Sequence, residues 1–394
     1  MAQGQVSVNN LNLGQGPVTE IERYFLFIGP ATKNIGKLLA LNTQSDLDIE
    51  LGIPDSDLKT QITAARNNGG DRWACAAVPL AADGDWREAL DSAQDADISV
   101  EAVVITKPVI SSAEVTDLNT AAESLNNRYG RRVFVLAASA GITPSLDWST
   151  YRDEQREIIG DIAAPRVVIV PQLHGNDLGV LAGRLANAAV SIADSPMRVA
   201  TGALIGLGPT PEDNEGISLP SATLTELDKM RFSVPQSYPD YPGMYWGDAN
   251  LLDAPGSDFT VLENLRVVDK AARRVRILLI QMVADRRVNN TPNSMATTTL
   301  RLMRPLRQMS RSASFAGQQF PGDIQPPKDG DIALLWKNRT TLVAYLRVRP
   351  FNCPKDLTAN IAPRLQSASA GWALASKRWS ASMSDWPLMV AIVL

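Results

Sequence analysis

ISVEAVVI (98–105), RVFVLAA (132–138), RVVIV (166–170) and RVATGAL (198–204) are four short apolar runs rich in β-branched residues. Windows with helical spacing separate them, at 113–129, 150–162 and 179–193. A strand with one wet face alternates apolar and polar side chains, and these runs do not alternate. Both faces of each strand must therefore be covered, as in a parallel sheet with a helix after every strand. The expected class is α/β, a mostly parallel central domain with helices on both faces, placed at 98–207.

Upstream, YFLFI (24–28) before Gly29 and Pro30 predicts a buried strand and a turn. Helical patterns at 56–67 and 86–93 flank an apolar stretch at 73–80, so 20–97 reads as the first part of the same α/β region. Residues 1–19, with Val6, Val8 and Leu11 among polar neighbours, predict an extended arm whose strand partner must be distant, even on another chain. Downstream, 208–257 is rich in Gly, Pro, Asp and Ser and reads as a long connecting region.

Residues 258–350 predict an α+β C-terminal domain. A long helix over 258–287 repeats apolar residues at three- and four-residue steps. Arg266, Lys270, Arg273 and Arg274 fall on its opposite side, giving one packing face and one basic face. A second helix from Ser294 to about Ser310, bent near Pro305, carries Arg304, Arg307 and Arg311 along one side. Two strands at 332–336 and 342–348 form a hairpin. A C-terminal arm and tail fill 351–394, beginning with a short extended piece at 357–361 that contains Leu357, Ala359 and Ile361. Trp372, Trp379 and Trp386 then recur every seven residues, a spacing equally compatible with a helical stripe and with a tail that packs on nothing.

Composition narrows the function classes. The chain has 394 residues, 45% of them hydrophobic and 20% charged, which predicts a folded protein of two or three domains. Two cysteines, Cys75 and Cys353, cannot build a disulfide framework, and one histidine, His174, leaves no multi-histidine metal site. The N-terminus has no basic start and no long apolar stretch, and the apolar end at 386–394 is too short to span a bilayer, so neither a secretory leader nor membrane insertion is expected.

Net charge is −4, but residues 1–262 carry 18 basic and 34 acidic side chains (−16), and residues 263–394 carry 20 and 8 (+12). That asymmetry suits nucleic acid, a membrane surface, or acidic proteins including further copies of this chain. No aromatic residue interleaves with the basic run at 273–287 as base stacking would require, which argues against nucleic acid.

One catalytic constellation competes. HGNDLGVLAG (174–183) resembles the histidine motif of subtilisin-like proteases, NSMAT (293–297) resembles their nucleophile motif, and Asp147 precedes both. Asp147, His174 and Ser294 would then form a serine-hydrolase triad, with the imidazole within hydrogen-bond reach of the hydroxyl. The match is incomplete, because Pro292 and Asn293 stand where Gly-Thr usually precede the serine, and Asp147 sits in LDWS. The plainer alternative makes His174 the end of a strand-to-loop turn and Ser294 a helix N-cap.

The order of elements resembles the contractile tail sheath proteins of bacteriophages. GQVSV (4–8), GPVT (16–19) and FIG (27–29) are similar to that family's opening arm and first strand. YWGDAN (245–250) before the long helix, and DIALLW (331–336) with the Arg-rich strand to Pro350, are similar to its later segments. The likeness runs to about residue 362. It implies a structural subunit and no enzyme, with no cofactor, that polymerises helically with itself around a tail tube protein. It further implies contacts with baseplate and tail terminator proteins, assembly in the host cytoplasm, and contraction that drives the tube through the host envelope. It carries a subtilisin-like label without a proteolytic role. On this reading the arms, through Val6, Val8, Leu11, Leu357, Ala359 and Ile361, add strands to neighbouring copies. Arg266, Lys270, Arg273, Arg274, Arg304 and Arg307 then face the tube or a neighbour.

Overall fold

The central sheet follows from the unalternated apolar runs. In a computed structural model, which describes residues 21–358 apart from 161, 255, 316 and 317, β1 (Phe25–Pro30), β3 (Ala74–Leu80), β4 (Ala102–Val109), β5 (Phe134–Ser139) and β6 (Val167–Pro171) are parallel. β2 (Leu39–Asn42) pairs antiparallel with β3 at one edge. The order is β2-β3-β1-β4-β5-β6, and every residue of β5 and β6 is buried.

Alternate side chains feed opposite layers. Leu26 and Ile28 enter a core with α3 (Trp86–Asp95), α4 (Ser112–Tyr129), α5 (Trp148–Ile159) and α7 (Ser221–Lys229). Phe25 and Phe27 enter the other core, with α1 (Leu47–Leu51), α2 (Asp57–Gly69) and α6 (Asp177–Ala186). Side-chain oxygens of Ser56, Asp85, Ser111 and Asp147 accept free backbone N–H groups where α2, α3, α4 and α5 begin.

A third core lies between α8 (Leu262–Ile280), α9 (Pro292–Met309) and the hairpin β11 (Ile332–Trp336) and β12 (Leu342–Leu346). A short pair, β9 (Ala313–Phe315) and β10 (Gln318–Phe320), precedes that hairpin. The apolar side chains of α8 divide between two cores. Leu262 and Leu265 close the α/β layer, and Val267, Ala271 and Val275 belong to the third core. The described residues up to Cys353 form one compact unit.

Three sequence expectations change. Residues 198–204 form no strand: Val199–Thr201 is a 3-10 turn, and Gly202 at φ +101° adopts backbone geometry that L side chains rarely take. The helix expected over 179–193 stops at Ala186. The connecting region at 208–257 holds α7 and a hairpin of β7 (Pro235–Tyr238) and β8 (Tyr241–Trp246). No described helix is long and apolar enough to cross a membrane.

Candidate functional site

The basic face of α8 is engaged inside the chain. Arg266 and Glu101, 2% and 1% exposed, meet in two parallel 2.8 Å hydrogen bonds. Arg266 also donates to the Leu185 carbonyl, and the Arg23 N–H reaches Glu101 at 2.6 Å. Burial alone would raise the Glu101 pKa, but the charge and hydrogen bonds of Arg266, with the Arg273 charge and the Arg23 N–H, together outweigh it and hold that carboxyl below its ordinary value.

Further along, Arg273 pairs with Glu22 at 2.9 Å and Lys270 with Asp323 at 2.8 Å, and Asp269 of α8 accepts from Arg166 and Arg132. Arg274 is half-buried and engaged as well. The expectation of an outward basic face on α8 is therefore corrected. Helical spacing gave the right angular position, but that side of the cylinder meets acids distant in sequence: Glu101, 165 residues upstream of Arg266, Glu22, 251 upstream of Arg273, and Asp323, 53 downstream of Lys270. Glu101, Asp269 and Asp323 were not picked out from the sequence. An acid inside an apolar strand run, as Glu101 is in ISVEAVVI, was the available signal.

The exposed basic row lies on α9. Arg301, Arg304 and Arg307 stand three residues apart and are exposed, with exposed Arg311 just past the helix end. No acidic partner of Arg304 or Arg307 occurs among the described residues. The opposite side of α9, with Leu302, Met303, Leu306 and Met309, enters the third core, and Pro305 sits within the helix.

Beside α9, β11 and β12 pair from Ile332↔Leu346 to Trp336↔Leu342 as a sheet of two strands. Ile332, Leu334, Ala344 and Leu346 face the core, and Leu335 and Tyr345 are half-exposed on the other side. Asp331 anchors the base through two 2.6 Å bonds from Arg349. Those bonds, with the Lys328 N–H, keep its carboxyl below the usual range. Leu357 is exposed and outside any strand, and Val6, Val8, Leu11, Ala359 and Ile361 lie outside the described residues, as does the Trp372–Trp386 tail.

The protease constellation is not assembled. Asp147 caps α5, accepting from the Thr150 N–H at 2.7 Å. His174 turns its Nδ1 to Asp177 Oδ1 at 2.8 Å, and Asp177 also accepts the His174 backbone N–H. Ser294 lies in α9 and bonds the Arg287 carbonyl and the Asn289 N–H, while Thr291 is the N-cap. All three polar groups are occupied locally, on elements belonging to different layers.

The glycines of HGNDLGVLAG have a packing reason. A Cβ on Gly179 would come within 2.1 Å of the Gln61 carbonyl oxygen, and one on Gly183 within 2.3 Å of that of Ala65, so α6 and α2 touch backbone to backbone. Two open, polar hollows are lined by residues around α1 and α2, such as Asp46, Asp48, Lys59 and Arg66, and His174 lines neither.

Comparison with known proteins follows this division. The DUF2586 N-terminal domain matches residues 3–250 and the DUF2586 C-terminal domain matches 258–366. A protein bearing the name tail sheath protein in Haemophilus phage HP1 (strain HP1c1) is 43% identical over 364 residues, covering 90% of this chain and 96% of its own. Among solved structures, the sheath complex of an extracellular contractile injection system in its contracted state superposes with a TM-score of 0.62 at 12% identity, covering 93% of this chain and 99% of that one. The anti-feeding prophage baseplate gives 0.55 at 12% identity, with 93% and 100% coverage. A sheath tail protein from Listeria innocua gives 0.54 at 10%, with 84% and 92% coverage. At such identities these structures speak for the shared fold, and the chain belongs to the DUF2586 family, with the tail sheath protein of phage HP1 as a relative along nearly its whole length.

Proposed function

We propose that this protein is the structural subunit of a contractile phage tail sheath, which polymerises around the tail tube and contracts to drive the tube through the host envelope. The observation that carries the reading is the end-to-end match to the phage HP1 protein, which leaves neither chain with an unmatched domain-sized segment.

Its partners are further copies of itself, the tube protein, and the baseplate and terminator proteins, in a virion tail assembled in the host cytoplasm. No cofactor is called for, because contraction draws on energy stored in the extended assembly. The two-stranded β11–β12 sheet offers edges to which the arms of neighbouring copies, through Val6, Val8 and Leu11 or Leu357, Ala359 and Ile361, add strands. With α8 engaged internally, the basic surface facing an acidic tube or neighbour passes to Arg304 and Arg307.

Negative-stain electron microscopy of the purified protein, alone and with its tube protein, tests the reading. Hollow tubes with a regular axial repeat are expected, and dispersed particles under both conditions would refute it. Removing residues 1–19 should leave folded monomers, and Arg304→Glu with Arg307→Glu should weaken tube co-assembly and its salt sensitivity. Co-assembly equal to wild type would return those arginines to the solvated surface.

A further inference from the structure

Two of the exposed apolar patches among the described residues complement each other. The first is an aromatic cluster on the β7–β8 hairpin. The Tyr245 ring lies 5.8 Å from that of Tyr238 and 5.6 Å from that of Tyr241. Tyr238 and Tyr241 are 36% and 52% exposed, and Asp240 stands at the tip between them. The Leu204 N–H bonds the Met244 carbonyl, which brings Ile205, 59% exposed, to the side of the hairpin.

The second patch is the C-terminal end of α8 and the turn after it. Ile277, Ile280 and Val283, at three-residue steps, are 40%, 54% and 76% exposed. Exposed Arg276 and Arg286 flank them. The first half of α8 is buried, so this stripe projects past the layer that the helix covers.

From this pairing we infer that the β7–β8 tyrosine hairpin of one copy docks on the α8 end stripe of a second copy. Each side supplies what the other lacks. Tyrosine rings offer broad apolar area and electron-rich faces, the stripe offers aliphatic side chains, and its arginines can lie over the rings or pair with Asp240. Tyrosine and arginine are also the residues that most often dominate the energetics of an interface.

The two patches are anchored on different elements of one molecule. The hairpin packs on the 203–204 loop, which the Arg184 side chain of α6 ties down through the Gly202 carbonyl, whereas α8 ends beside the last residue of α4, where Arg276 donates to the Tyr129 carbonyl. A contact between two different patches of identical chains is head-to-tail, and repeats into a ring or an open filament. The inference rests on the sheath reading and gives it a rigid contact distinct from the arms.

Tyr241→Asp and Ile280→Asp, each alone in the full chain, test it, with circular dichroism to verify folding. Each should raise the protein concentration needed for polymerisation by about tenfold or more. Below that concentration an equimolar mixture should give one-to-one heterodimers by mass photometry, because the intact stripe of the first variant accepts the intact hairpin of the second. Tyr241→Phe, which keeps the ring, should polymerise as wild type does. Either aspartate variant polymerising at the wild-type concentration, or a mixture without heterodimers, would overturn the contact and leave the sheath reading standing. Wild-type protein that never polymerises, even with tube protein, would overturn both.

Discussion

Replacing Arg266 with leucine tests the seam that α8 makes with the sheet. In wild type the guanidinium supplies two 2.8 Å bonds to Glu101 and one of 3.1 Å to the Leu185 carbonyl, all out of water. The leucine leaves a buried carboxylate with only the Arg23 N–H as a donor and an orphaned carbonyl. Removing one partner of such a pair costs about 3–5 kcal/mol. At roughly 2–4 °C per kcal/mol for a chain of this size class, the thermal midpoint should fall by on the order of 10 °C. Glu101→Leu should cost a similar amount, since it strands Arg266 against the ring of Phe134. The double variant should cost far less than the two together, because an apolar pair of similar volume carries no desolvation penalty.

Scanning calorimetry on the four proteins gives the coupling directly. Acid supplies a second signature. The folded pKa of Glu101 is lowered, so its contribution is complete above the unfolded value of about 4.3 and is lost as pH falls through the folded value. In Arg266→Leu, burial acts on the carboxyl without that partner and favours its proton, so the deficit relative to wild type should shrink as the solution is acidified. Two single variants that each cost under about 1 kcal/mol, or costs that simply add, would refute the reasoning.

Other consequences follow from the same geometry. Gly183→Val places a side chain against the Ala65 carbonyl and should cost about 1–3 kcal/mol in urea unfolding as α2 and α6 are pushed apart, and an unchanged midpoint would contradict that close approach. Ser294→Ala should lower stability by about 1–2 kcal/mol through its two lost hydrogen bonds and leave hydrolysis of a labile ester at the wild-type level, whereas a loss of hydrolysis would restore the triad. Asp331→Asn should speed hydrogen exchange in the 332–346 hairpin at neutral pH. The wild-type hairpin should approach the variant as acid protonates Asp331, whose support is present above the unfolded carboxylate value and lost below its lowered folded value. Equal exchange rates at pH 7 would remove Asp331 as its anchor.

The parallel sheet was legible because strand segments covered on both faces have no polar positions to confuse their reading, as 102–105, 134–138 and 167–171 illustrate. The run at 198–204, apolar at four of its seven positions, forms no strand. Whether a run joins a sheet depends on a free neighbouring edge, and Gly202 turns this backbone away. On α8, periodicity located Arg266 on the cylinder but could not say what that side meets, because its partner lies 165 residues upstream. HGNDLGVLAG was read for chemistry on local likeness, where its glycines serve helix contact and its Asp177 holds the turn. The tyrosines of β7–β8 were noted as part of a connecting region, and only pairing in register set their rings side by side.

The split of α8 between two cores bears on how such genes can recombine. The boundary between the two matched domains falls at 250–258, a natural place to look for exchange of halves between related phages. Yet Leu262 and Leu265, just past it, seal the α/β layer, and Arg266 and Asp269 close its ion pairs with Glu101, Arg166 and Arg132. A crossover there delivers a foreign lid to the sheet, and only donors that keep these few positions yield a chain that folds. Inheritance should therefore bind the first turns of α8 to the N-terminal half, even though the sequence families place them with the C-terminal one.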